Sequence, residues 1–169
     1  MSKHESGYSR VERDFYPTPV WVTAVLAEHV NLAGRRVWEC ACGDGRMAQA
    51  LKAAGALVYS SDVVDRGYCD ELLDFTSEQQ PKTNFDDIVT NPPFGSRGKL
   101  AESFIASGLR RIPNHGLLAL LLPNDFDSAK TRQRFFGDCA RFASKLVLTQ
   151  RVVWFERSDG KKEAPKENT

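Results

Sequence analysis

Residues 35 to 62 read RRVWECACGDGRMAQALKAAGALVYSSD, and this stretch decides the fold. Arg35 to Cys40 holds a short strand around Val37-Trp38. Gly43-Asp44-Gly45 follows at once. Met47, Ala50 and Leu51 then recur at helical spacing, and Gly55 stops that helix. Ala56 to Ser61 is a second strand, ending at Asp62. Strand, glycine turn, helix and strand in this order are the unit of a parallel sheet.

The pattern continues in both directions. Downstream, a short strand or turn is expected near Leu72-Leu73. Phe85 to Thr90 is a strand that runs into Asn91-Pro92-Pro93-Phe94. A glycine-bearing loop leads to a helix over Leu100 to Arg111. Leu117 to Leu122 is uninterrupted apolar sequence, as expected of a strand covered on both faces. Lys130 to Phe142 reads as a helix and Lys145 to Phe155 as a bent strand. Upstream, Tyr16-Pro17-Thr18-Pro19 opens a helix, with Thr18 as its cap and Pro19 in its first turn. Val22, Val25, Leu26 and Val30 form the inward face of that helix. The whole predicts an α/β chain with an open, Rossmann-like, mostly parallel sheet and helices on both faces. The domain is expected to span 15–156, between a flexible polar start over 1–14 and a polar tail over 157–169.

Bulk properties exclude several classes. The 169 residues suit one domain, and 41% hydrophobic with 27% charged residues is a globular composition. The net charge of +1 means that any nucleic-acid site would be a local basic patch. The apolar run from Gly116 to Leu122 is too short to span a bilayer, and the N-terminus lacks the apolar centre of a signal peptide. A cytoplasmic protein is expected. Cys40, Cys42, Cys69 and Cys139 lack the paired spacing of a zinc site, so no metal is expected.

In open parallel sheets ligands bind at the carboxyl ends of the strands. Glu39 to Gly45, Asp62 and Asn91 to Phe94 all fall there. Glycines after a strand let the backbone turn tightly and approach a ligand, and the helix that follows offers free amide donors. Asp62 can accept hydrogen bonds from both hydroxyls of a ribose. Gly43-x-Gly45-x-x-Ala48 also fits the dinucleotide fingerprint loosely, so this region alone specifies a nucleoside cofactor. Asn91-Pro92-Pro93-Phe94 is sharper. The prolines stop the ladder and stiffen the backbone. Their carbonyls and the asparagine oxygen are acceptors that can grip the two hydrogens of an amino group. The aromatic at the fourth position can stack on a planar ring.

With these motifs the chain resembles the class I S-adenosylmethionine-dependent methyltransferases over about residues 15 to 155. Within them it is similar to the adenine-N6 DNA methyltransferases with an Asn-Pro-Pro-aromatic motif. The resemblance implies S-adenosyl-L-methionine as cofactor. Tyr16, Thr18 and Pro19 would help to enclose its methionine part. Glu39 would lie near its amino group, within a glycine motif that includes Ala41, Gly43 and Gly45. Asp62 would hold the ribose, and Asp74-Phe75 the adenine. Asn91, Pro92, Pro93 and Phe94 would be catalytic, with adenine N6 in DNA or RNA as the methyl acceptor.

Arg97, Lys99, Lys130, Arg132 and Arg134 are the basic residues expected to reach phosphate. Two other readings share the motifs: an N-methyltransferase of protein glutamine amides or small amines, and a catalytically silent cofactor- or nucleic-acid-binding module. Family members that read DNA sequence carry a separate recognition region, and none is visible here. The family's sheet ends in a two-stranded hairpin. Lys145 to Phe155 is expected to supply one strand, and the charged residues beyond it do not look like the other.

Overall fold

The computed structural model describes residues 15–156 and 162–163. It contains β1 (Arg36–Glu39), β2 (Leu57–Asp62), β3 (Glu71–Leu72), β4 (Asp87–Thr90) and β5 (Leu118–Leu120). The helices are α1 (Val20–His29), α2 (Arg46–Ala53) and α3 (Lys99–Arg111). The five strands form one sheet in the order β3-β2-β1-β4-β5, and every neighbouring pair is parallel.

Side chains alternate across the sheet, as they must in extended backbone. Val37 and Val89 pack with Met47, Leu51 and Leu32 on one face. Trp38 and Ile88 pack with Phe75, Phe104 and Ile112 on the other. Leu26 of α1 joins the first cluster, so α1 and α2 cover one face and α3 the other. The fold is the α/β architecture expected from the sequence.

An ion pair to a buried carboxylate helps to tie the strand starts together. Asp87 is fully buried, and Arg35 grips it with Nε and a terminal nitrogen. The same carboxylate accepts from the Leu117 amide at 2.8 Å. A buried charge is tolerated when it is paired and hydrogen-bonded in this way.

Four expectations change. Thr18 does not cap α1; its N-cap is Pro19, with no side-chain cap bond. The Thr18 hydroxyl instead accepts from Asn91 Nδ2 at 3.2 Å. The strand expected over Leu117 to Leu122 is the three-residue β5, partly exposed along its length, because among the described residues only β4 pairs with it.

The helix expected over Lys130 to Phe142 is a 3₁₀ segment, Lys130–Phe135. Its amides bond three residues back, as in Arg132 N to Ala129 O at 2.8 Å. The Arg132 side chain is turned inward, to the Phe126 carbonyl and Glu102.

Residues 145 to 154 form no strand. Lys145 bonds Asp127 and the Asn124 carbonyl, and Trp154 meets Tyr16 edge-on at 5.8 Å. Phe155–Glu156 (β6) does pair, antiparallel, with Lys162–Glu163 (β7), apart from the main sheet. The remaining residues of the two terminal segments, 1–14 and most of 157–169, lie outside the described residues.

Candidate active site

The chain leaves β1 through β2 to β3 and then returns to β4 on the other side of β1. Strand order reverses there, and such a point opens a crevice at the carboxyl ends of the strands. A cavity of about 80 Å³ lies in it. Glu39, Ala41 and Gly43 line it from the end of β1, and Asp62 from the end of β2. Asn91 and Pro93 line it from the end of β4, and Tyr16 and Thr18 from the segment before α1. Phe75 lines it from the loop after β3.

Glu39 is 1% exposed. Its Oε1 accepts from the Thr90 hydroxyl at 2.6 Å and from the Ala41 amide at 3.2 Å. Burial pushes its carboxyl up to about 8, against the lowering effect of those two donors. A buried acid in a cavity wall with one oxygen already bonded is suited to meet a cation. Asp62 has both oxygens oriented: Oδ2 accepts from the Gly43 amide at 2.8 Å and Oδ1 from Val64 at 3.0 Å. Each oxygen keeps a lone pair for a ligand hydroxyl. Gly43 has φ +55, and a Cβ on it would lie 2.7 Å from the Phe15 ring, so only glycine leaves this passage open.

Asn91 is aligned by its own amide group. Nδ2 donates to the Tyr16 carbonyl at 3.3 Å and to the Thr18 hydroxyl at 3.2 Å. With both hydrogens engaged, Oδ1 is the atom left to accept. The motif also separates two spaces. Asn91 and Pro93 line the small cavity, while Phe94 lines a second, largely apolar one of about 450 Å³ at the β5 edge. Phe94 is half-buried against Ala101, Ile105, Phe126 and Phe135. Its carbonyl accepts from the Leu100 and Ala101 amides at the start of α3, which fixes the end of the motif. Pro92 is buried and lines neither space.

Other expected residues stand further off. Asp74 is exposed and outside the cavity wall, and its Oδ1 accepts from Thr76 N and Oγ1. Pro19 caps α1, and Gly45, at φ +84, packs against the Tyr68 ring; neither lines the cavity. Among the basic residues, Arg97, Lys99 and Lys130 are exposed. Arg134 is 67% exposed and pairs with Glu102 at 3.5 Å. Arg132 does not fit the expected phosphate contact. Its side chain is 14% exposed and bonds Glu102 and the carbonyls of Phe126 and Arg97, with its guanidinium 3.7 Å from the Phe126 ring centre.

Phe15, Pro17, Val64 and Arg66 line the cavity without having been singled out from the sequence. Phe15 and Pro17 flank Tyr16 and carried a positional signal. Val64 and Arg66 lie in the irregular stretch after Asp62, where periodicity says nothing. Among the described residues no group of three or more His, Cys, Asp or Glu is placed to hold a metal ion. None of their helices is long and apolar enough to cross a membrane.

No protein-family model and no curated protein matches the chain. Solved structures do. One is a protein of Pyrococcus horikoshii provisionally assigned as an RNA methyltransferase, at TM-score 0.57 and 17% identity, over 78% of this chain and 72% of that one. Another is the 16S rRNA N2 G1207 methyltransferase of T. Thermophilus, in complex with AdoMet and guanosine. It aligns at TM-score 0.50 and 21% identity, over 70% of this chain but only 38% of its own length. The magnesium protoporphyrin IX methyltransferase of Synechocystis PCC 6803, with bound SAM, also gives TM-score 0.50 and 21% identity, over 70% of this chain and 64% of that one. These likenesses show that the chain has the Rossmann-like fold on which those methyltransferases are built.

Proposed function

We propose that this protein is an S-adenosylmethionine-dependent methyltransferase acting on a planar amino nitrogen, with adenine N6 in DNA or RNA as the acceptor. The observation that carries the reading is Asn91. Its amide is held by Tyr16 and Thr18 so that Oδ1 is an acceptor, in the wall of a cavity shared with Glu39 and Asp62. That two of the neighbours by fold are named as methyltransferases of RNA supports a nucleic-acid acceptor.

The residues present fit the cofactor. Glu39 is a buried acid able to meet an ammonium or sulfonium charge. Asp62 has a carboxylate oriented for a diol, and Gly43 leaves a cradle that a Cβ would fill. Phe75, edge-on to Trp38 at 5.0 Å, supplies an apolar wall for a ring. The bound cofactor supplies a methyl group already activated on sulfur, which removes the need for a covalent enzyme intermediate.

The chain's own task is alignment and charge uptake. Asn91 Oδ1 accepts a hydrogen of the target amine, and Pro92, buried and lining neither cavity, stiffens the backbone that carries it. The hydrogen bond turns the nitrogen lone pair toward the donor and disperses positive charge as the N–C bond forms and the C–S bond breaks. The amine then loses one proton to solvent. Phe94 offers its ring from the side of the larger cavity. An adenine in a duplex would first have to be flipped out. Arg97, Lys99, Lys130 and Arg134 are the exposed basic residues that would meet phosphate.

The test is to incubate the protein with methyl-tritiated S-adenosylmethionine and, separately, DNA, RNA and whole-cell protein. Label in nucleic acid, recovered as N6-methyladenine, is expected. Label in protein alone sinks the nucleic-acid reading, and no label anywhere sinks the enzyme.

A further inference from the structure

Two segments meet over the glycine loop. Phe15 reaches it from the N-terminal side and lays its ring against Gly43. Arg66 reaches it from the turn after β2, and its guanidinium sits 4.0 Å from the centre of the Phe15 ring. Both residues line the 80 Å³ cavity.

Each segment is anchored beside this contact. The turn carrying Arg66 is braced by Val64 N on Asp62 Oδ1 at 3.0 Å and Gly67 N on Asp65 Oδ1 at 2.8 Å. On the other side, the Tyr16 carbonyl and the Thr18 hydroxyl are tied to Asn91. Phe15 stands one residue outside that tie.

Position decides what this contact does. The crevice leaves about 80 Å³ between its walls, and a nucleoside settling against Gly43 meets the Phe15–Arg66 contact. The strand ends are fixed by the parallel ladder, whereas Phe15, among the described residues, faces an exposed arginine through a cation–π contact. We infer that Arg66 controls cofactor exchange by latching Phe15 over Gly43. The inference rests on the cofactor reading above.

A latch that must open for entry and again for release lowers both rates. A residue that merely touches the bound ligand slows release alone. Arg66→Ala is therefore expected to raise both the association and the release rate constants of S-adenosylhomocysteine, each by about two- to fivefold, as befits an exposed cation–π contact. Kd then shifts by less than about twofold, since the two changes cancel. Stopped-flow binding measures both constants, and Arg66→Lys, which keeps a cation over the ring, should restore most of the wild-type values.

Amide exchange without ligand gives a second readout. The Phe15, Tyr16 and Thr18 amides should exchange faster in Arg66→Ala, with β1 and β4 unchanged. A rise in the release rate alone, or no change in either rate, overturns the latch. If the wild type binds no S-adenosylhomocysteine, the cofactor reading fails. Unchanged exchange in Arg66→Ala would then remove the latch as well.

Discussion

Glu39 holds a carboxyl where charge is costly, and the cost has a measurable sign. Its folded value, about 8, lies above the ordinary 4.5. The protonated form therefore favours the folded state. Its stabilisation is complete below about 4.5 and is lost as pH rises through about 8. The melting temperature of the ligand-free protein should fall between about pH 5 and 9, and Glu39→Gln should flatten that fall. A cation bound beside Glu39 reverses the preference, so cofactor binding near pH 7 should release protons. Calorimetry in buffers of different ionisation enthalpy checks this. Thr18→Val removes one of the two acceptors that orient Asn91, and should slow methyl transfer by about tenfold while leaving the affinity for S-adenosylhomocysteine within twofold. The positions of Glu39, Asp62 and Asn91 in one cavity wall were legible because strand ends place them. The hydroxyl of Thr18 was not, because a threonine before Pro19 also reads as a helix cap; only the folded chain shows that Asn91 takes it.

At the scale of elements, Arg132 joins three parts of the chain: α3 through Glu102, the 3₁₀ turn Phe126–Ser128 through the Phe126 carbonyl, and the loop after Phe94 through the Arg97 carbonyl. Arg97 is the one non-glycine residue with positive φ among those described, at +55, and this tie helps to keep it there. Gly98 packs under the same guanidinium, where a Cβ would lie 2.5 Å from Arg132 Nη2 and 2.9 Å from Phe126, at φ +75. Gly98→Ala should therefore cost about 1–3 kcal/mol in a denaturant melt, from overpacking and backbone strain together. The strands and helices from 36 to 111 could be read from periodicity and glycine turns because local pattern and tertiary packing agree. Beyond Pro123 they part. Lys130 to Phe142 has helical spacing, yet Arg132 is drawn inward and the backbone tightens to 3₁₀. Lys145 to Trp154 has strand composition, but no described strand pairs with it.

For the whole molecule, the sheet order brings the ends of β1, β2 and β4 together, and Arg35 with Asp87 secures the opposite ends of β1 and β4. Arg35→Met would leave Asp87 buried and unpaired, and should cost about 3 kcal/mol in a denaturant melt. Methyl transfer should fall only in proportion to the unfolded fraction, since this pair lies at the far end of the strands. The α/β plan was legible from one strand-turn-helix-strand stretch. The division of space by Asn91 to Phe94, with Asn91 and Pro93 facing one cavity and Phe94 the other, was not, because it depends on how α3 and the Phe126 turn pack behind the motif. In the proposed reaction Asn91 accepts from the target amine. This is tested most directly by comparing single-turnover methyl transfer by Asn91→Ala with that by the wild type on the nucleic acid that takes label, with S-adenosylhomocysteine affinity measured alongside. The rate should fall about 100-fold or more with affinity within twofold, as for removal of one preorganised hydrogen-bond partner; transfer at the wild-type rate would contradict it.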